Sequence, residues 1–262
     1  NAINSLRKEF ITRGINDGVD ALAFGSFIIG DSTSSITTME GKMDSKLSTL
    51  NPNFAAMITE MLIELELDSS SKVAVSYTGS YPGANIAVLS ALEVMDIEAS
   101  IISSCGSSSY GATYSEMTWI DMESYLYKED HVSNKSKLGS IEGGYHFGGK
   151  LNQKERDVCD TTFSRNNIEQ LEADTPRELY EYYTDSTKEV SLFINVGGGI
   201  NAGGAARKSG IIRPSGNFNS SIDSNSTVIE RFFEEKIPVI NINNIRNLAK
   251  WYDLSYPPNN KN

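Results

Sequence analysis

The sequence is short of the residues that most often declare a function. Two histidines and two cysteines occur, with neither C-x-x-C nor H-E-x-x-H, so a structural zinc site is not expected. No stretch approaches 18 consecutive apolar residues, the length that spans a bilayer as a helix. No run of basic residues is present, and 23 Lys and Arg stand against 34 Asp and Glu, a net charge of −11. Nucleic acid and acidic membrane surfaces are first met by clustered cations, so neither is an expected partner. Prolines number only 7, and no Pro-rich or Gly/Ser-only linker divides the chain. Residues 3–262 therefore read as a single α/β domain. Asn1-Ala2, with no Met, reads as the remnant of a cleaved tag. Cys105 and Cys159 can pair or remain two buried thiols, and the thiols are the expectation.

What is present is an alternation of strands and helices. Lys72-Val73-Ala74-Val75-Ser76-Tyr77 reads as a strand, and Ala84 to Met95 follows with apolar residues at near-helical spacing. Pro82 suits the first helical turn. Ala99 to Ser103 is a second strand, which completes a βαβ unit and demands a parallel pair. Val190 to Val196 and Ile237 to Ile242 repeat the pattern, with a helix from Ser226 to Lys236 between them and another from Ile245 to Tyr252. Further helices are predicted from about Asn51 to Leu65, Glu116 to Lys128, Glu155 to Glu172 and Thr175 to Tyr183, with His131 to Gly149 as loop. The expected fold is a mostly parallel, doubly wound (Rossmann-like) sheet with helices on both faces.

Such sheets bind ligands beyond the carboxyl ends of their strands. Four strand ends here run into polar, small, nearly uncharged loops, beginning at Thr78, Cys105, Asn195 and Asn241. Their short donors, and glycines that let backbone approach a ligand, predict a site for a carboxylate or phosphate. The candidate ligand residues are Ser80, Gly83, Gly106, Ser107, Ser108, Ser109, Gly197, Gly198, Gly199, Asn201, Asn243 and Asn244, with Arg246 and Lys46 as charge partners.

Two residues bear on chemistry. Ser80 lies between a strand and a helix, where a hydrolase nucleophile would sit, although Gly79-Ser80-Tyr81-Pro82-Gly83 is not G-x-S-x-G. His146, among aromatics and glycines, is a candidate base; otherwise Ser80 is a cap or donor and His146 a loop residue. Asp31, Glu40, Asp44, Glu116 and Asp121 are carboxylates that a hard cation would need, but no metal or cofactor is implied. The glycines match neither the dinucleotide nor the triphosphate fingerprint. Trp119 reads as core.

A further set of residues resembles the poly-gamma-glutamate system protein family. It comprises Ile28-Ile29-Gly30, Ile36-Thr37-Thr38, Gly41, Lys46, Asn51 to Ala56, Gly79-Ser80-Tyr81-Pro82, Gly106 to Ala112 with Thr118 to Met122, Asn195 to Gly198, and Ile237 to Ile240 with Asn244-Ile245-Arg246. The resemblance implies a capsule-related accessory protein of bacterial poly-γ-glutamate synthesis or export, carrying an N-terminal membrane anchor and working outside the cytoplasmic membrane. Its implied partners are the polymer or its chain end and membrane-bound synthesis or export proteins. It carries over no catalytic residue. The expected activity is binding of γ-glutamyl units at the sheet edge; the alternatives are a serine-dependent hydrolase or transferase acting on the polymer, and a scaffold for the synthase.

Overall fold

The strands predicted from apolar runs form the middle of one sheet, and short pieces with little apolar signal complete it. A computed structural model describes residues 2–15, 26–141, 152–173, 175–184, 189–197, 208–214 and 227–257. The first half contains α1 (Ala2–Thr12), β1 (Thr37–Met39), α2 (Met43–Ser48), α3 (Asn53–Glu64), β2 (Lys72–Tyr77), α4 (Pro82–Val94), β3 (Glu98–Ser104), β4 (Ser107–Ser108) and α5 (Trp119–Lys128). The second contains β5 (Leu138–Ser140), α6 (Gln153–Asn166), β6 (Glu169–Gln170), α7 (Pro176–Thr184), β7 (Leu192–Val196), β8 (Gly210–Ile212), α8 (Val228–Glu234), β9 (Val239–Ile242) and α9 (Ile245–Trp251).

Seven strands lie in the order β6-β5-β3-β2-β7-β9-β8. Every neighbouring pair is parallel except β8 with β9. The protein is thus α/β with a mostly parallel sheet. Strands at its centre are buried on both faces, which is why they read as continuous apolar runs. Alternate residues still separate by face. Val73, Val75 and Tyr77 join a core with Phe54, Met57, Ile58, Val88 and Leu92 of α3 and α4. Ala74 and Phe193 join Leu179, Tyr183 and Phe232 of α7 and α8, where the Phe193 and Phe232 rings stack at 4.4 Å.

Three expectations are corrected. The helix expected from Glu155 to Glu172 stops at Asn166, because Asn167 turns left-handed at φ 53° and the Ile168 N–H donates to the Phe163 carbonyl at 2.9 Å. The chain then forms β6. Within the stretch expected to be loop, Leu138–Ser140 is a strand paired with β3, buried enough to be shielded but too short to show a period. Cys105 and Cys159 are bridged rather than free, with Cα atoms 5.6 Å apart, tying the end of β3 to α6. Among the described residues no helix is long and apolar enough to cross a membrane.

Candidate functional site

The loops after β2 and β3 are welded by backbone. The Gly79 N–H donates to the Gly106 carbonyl at 3.2 Å, and the Ala112 N–H to the Gly79 carbonyl at 2.7 Å. Contact is so close at Gly111 that an added Cβ would stand 2.2 Å from Ser107 Oγ and 2.4 Å from the Gly79 carbonyl oxygen. Ser80 Oγ accepts the Ser108 N–H at 3.1 Å. A second, two-stranded sheet of β1 and β4 adds the amino-terminal segment: the Ser107 N–H donates to the Ile36 carbonyl at 3.0 Å and the Ser109 N–H to that of Met39 at 2.9 Å. Residues 40–46 are thereby delivered to the serine loop.

Lys46, on the buried side of α2, is the result of that delivery. It is 1% exposed, its Nζ donates to Ser108 Oγ at 2.7 Å, and the same nitrogen lies 4.0 Å from the centre of the Tyr81 ring. No carboxylate pairs with it among the described residues. Burial without a counter-charge disfavours the ammonium and lowers the Lys46 pKa to about 7. Tyr81 moves oppositely, pushed up to about 12 by burial and then by Tyr256.

The other wall comes from the end of β9. Asn195 Nδ2 donates to Asn241 Oδ1 at 2.8 Å and to the Gly197 carbonyl at 3.1 Å, a buried amide pair that holds the ends of β7 and β9 together. Gly197 takes φ +106°, and a Cβ there would meet Thr78 Oγ1 at 2.1 Å, so only glycine fits beside the β2 loop. Tyr81 Oη donates to the Asn243 carbonyl at 3.4 Å, the Asn244 N–H donates to Ser209 Oγ at 2.9 Å, and Asn244 Oδ1 caps α9 by accepting the Asn247 N–H at 3.1 Å. Between the walls opens a cleft of about 1300 Å³ lined by Glu40, Gly41, Lys42, Tyr81, Lys208, Asn243, Asn244, Arg246, Lys250 and Tyr256.

The predicted residues thus fall into two layers. Ser80, Gly106, Ser107, Ser108, Ser109 and Lys46 lie together beneath the floor; Asn243, Asn244 and Arg246 line the cleft. Gly83 serves packing, since a Cβ there would lie 2.6 Å from Thr49 Oγ1. His146, Gly198, Gly199 and Asn201 lie outside the described residues. Among the described residues no three His, Cys, Asp or Glu side chains are grouped to hold a metal. Asp121, for one, is occupied by the Thr118 N–H and by Arg165 Nε at 2.7 Å. Trp119 is wholly buried, donating from Nε1 to Ser103 Oγ at 3.1 Å.

Reading the sequence missed Gly41, Lys42, Tyr81, Lys208, Lys250 and Tyr256 as lining, and missed the pairing of Lys46 with Ser108. One signal was there: Lys46 lies one turn before buried Leu50, on a face meant for apolar residues. Comparison with known proteins finds no matching family model, curated protein or solved structure.

Proposed function

We propose that this chain binds γ-glutamyl units, or a related oligocarboxylate, in the cleft at the carboxyl edge of its sheet, as an accessory protein of bacterial poly-γ-glutamate synthesis or export. The observation that carries the reading is local charge. On a chain of net charge −11, Lys42, Lys208, Arg246 and Lys250 line the cleft, against one lining carboxylate among the described residues, Glu40. A polyanion repelled by the remaining surface meets concentrated cations there. Arg246 supplies a fork suited to a carboxylate, and the neutral Asn243 and Asn244 flank it.

The fold supports that location. We read the sheet as doubly wound and Rossmann-like. From β2 the chain builds through β3, β5 and β6, then returns to β7 on the other side of β2. Strand order reverses between β2 and β7, and open α/β sheets take ligands at such a switch point. The Cys105–Cys159 bridge suits an oxidising compartment and so favours a position outside the cytoplasmic membrane. The accessory role itself rests on the sequence resemblance.

Titration with γ-linked glutamate oligomers tests the reading. Saturable binding should weaken as salt is raised and fall about tenfold or more when Arg246→Ala and Lys208→Ala are combined. Folded protein that binds no oligomer, or a double variant that binds unchanged, overturns it.

A further inference from the structure

Beneath the cleft floor, two side chains from distant parts of the chain meet. Lys46 is 1% exposed and Ser108 4%, and Nζ and Oγ are 2.7 Å apart. A buried lysine is costly unless paired, and this one has a hydroxyl and an aromatic face in place of a carboxylate. Gly41 and Tyr81 both line the cleft, and the Tyr81 ring lies against this lysine. A methyl group at Gly41 would lie 2.6 Å from the Ser109 carbonyl oxygen and 3.1 Å from both Lys46 Nζ and Ser108 Oγ. Gly41, which lines the cleft, thus packs directly against the pair.

We propose that Ser108 and Lys46 form a nucleophile and general-base pair that cleaves or transfers the acyl group of an amide-linked, carboxylate-bearing chain held in the cleft. The choice of substrate rests on the cleft reading; the chemistry of the pair does not. Neutral Lys46 accepts the Ser108 hydroxyl proton as Oγ attacks the acyl carbon. The carbon–nitrogen bond breaks, the leaving amine takes that proton from Nζ, and an ester remains on Ser108. Water, or a second amine, then attacks the ester; Lys46 takes its proton and returns it to Oγ. Burial alone brings the lysine to about 7, where its neutral form is available near neutrality. Of the charged or titratable groups, Tyr81 faces the lysine, and Tyr256, Glu40, Lys42, Lys208, Arg246 and Lys250 line the cleft.

The test uses a fluorophosphonate probe on the full chain, with the adduct located by mass spectrometry. The probe has no carboxylate, so it reports the pair alone, while oligomer titration reports the cleft; either result can fail without the other. The expected adduct is on Ser108, formed about tenfold faster at pH 8 than at pH 6, as one ionisation near 7 requires. Lys46→Met should abolish it, and Lys46→Arg, which keeps a donor but no base, should not restore it. Gly41→Ala should slow it, because its Cβ must displace the Ser109 carbonyl and crowds both atoms. Near-UV circular dichroism establishes that each variant is folded. An adduct on another serine, a Ser108 adduct indifferent to Lys46→Met, or none after prolonged exposure at pH 9 overturns the proposal.

Discussion

Lys46 and Glu123 are two buried ionisable groups that burial brings close to neutrality, and they differ in what surrounds them. Burial brings each to about 7, Lys46 downward and Glu123 upward. Glu123 Oε2 accepts the Ser136 N–H at 3.0 Å, and Ser136 Oγ bonds Ser103 Oγ at 2.7 Å. Trp119 closes the set by donating to Ser103, and its ring meets that of Tyr77 edge-on at 5.4 Å. Glu123 Oε1 and Tyr77 Oη lack partners among the described residues. That network faces the interior, whereas Lys46 sits under a cleft with a hydroxyl in reach. A perturbed pKa alone is therefore a poor guide to function; nearness to a cleft separates the two cases.

The contrast has opposite signs in stability. For Lys46 the folded pKa lies below the unfolded one. Between about 7 and 10.5 the unfolded chain holds more protons, so stability rises with pH there, and the full cost of burial is felt below 7. Lys46→Met keeps the aliphatic stem and should stabilise the protein at pH 6, by at most on the order of 5 kcal/mol, while flattening the rise above pH 7. Denaturant melts at pH 6 and 9 measure it. For Glu123 the folded pKa is raised above 4.5. Stability falls as pH climbs from 4.5 to about 7, and the full cost is felt above 7. Glu123→Gln should gain up to roughly 3 kcal/mol at pH 8 and little at pH 4. With both groups present, their summed contribution is least favourable near pH 7. A wild-type curve rising smoothly through that point would break the comparison.

Trp119→Phe sharpens it. Loss of the indole donor leaves Ser103 under-paired and should cost about 1–2 kcal/mol. Phosphonate labelling of Ser108 should survive in the folded variant, because the Trp119 network and the cleft layer share no hydrogen bond among the described residues. A labelling loss on the scale of Lys46→Met would mean that the two regions act as one.

Legibility followed the same divide between patterned core and long-range contact. The central strands and most helices announced themselves because β2, β7 and β9 are buried along their length and α3 carries an apolar stripe. Polar strand-end loops pointed to the carboxyl edge of the sheet, where Tyr81, Asn243 and Asn244 line a cleft. Hidden were β1, β4, β5, β6 and β8, of two or three residues each, which exist through pairing with neighbours instead of through their own composition. Hidden too was the meeting of α2 with the serine loop, since nothing local to Lys46 names Ser108 as its partner. The cysteine bridge escaped for the same reason: spacing says nothing about where two chain segments are brought.

Helix ends explain why boundaries drifted, and they supply the smallest effect. Glu66, Asp96, Asp130, Asn167, Lys236 and Asp253 all take positive φ just past a helix. That position is usually glycine's, so the familiar stop signal is missing from the sequence. Asn and Asp tolerate the conformation better than long side chains do, which singles out Lys236 at φ 61°. Lys236→Gly relieves the Cβ clash but gives the unfolded chain more freedom, so the net gain should be about 0.5–1 kcal/mol. Asn167→Gly should gain less. Lys236 lies beyond α8, packed in the layer opposite both Lys46 and Glu123, so its gain should be equal at pH 5, 7 and 9. A parallel shift of the whole stability curve leaves the two slopes assigned to the buried pair intact. A shift that grows or shrinks through pH 7 would show that those slopes belong to the fold at large, and the contrast between Lys46 and Glu123 would lose its basis.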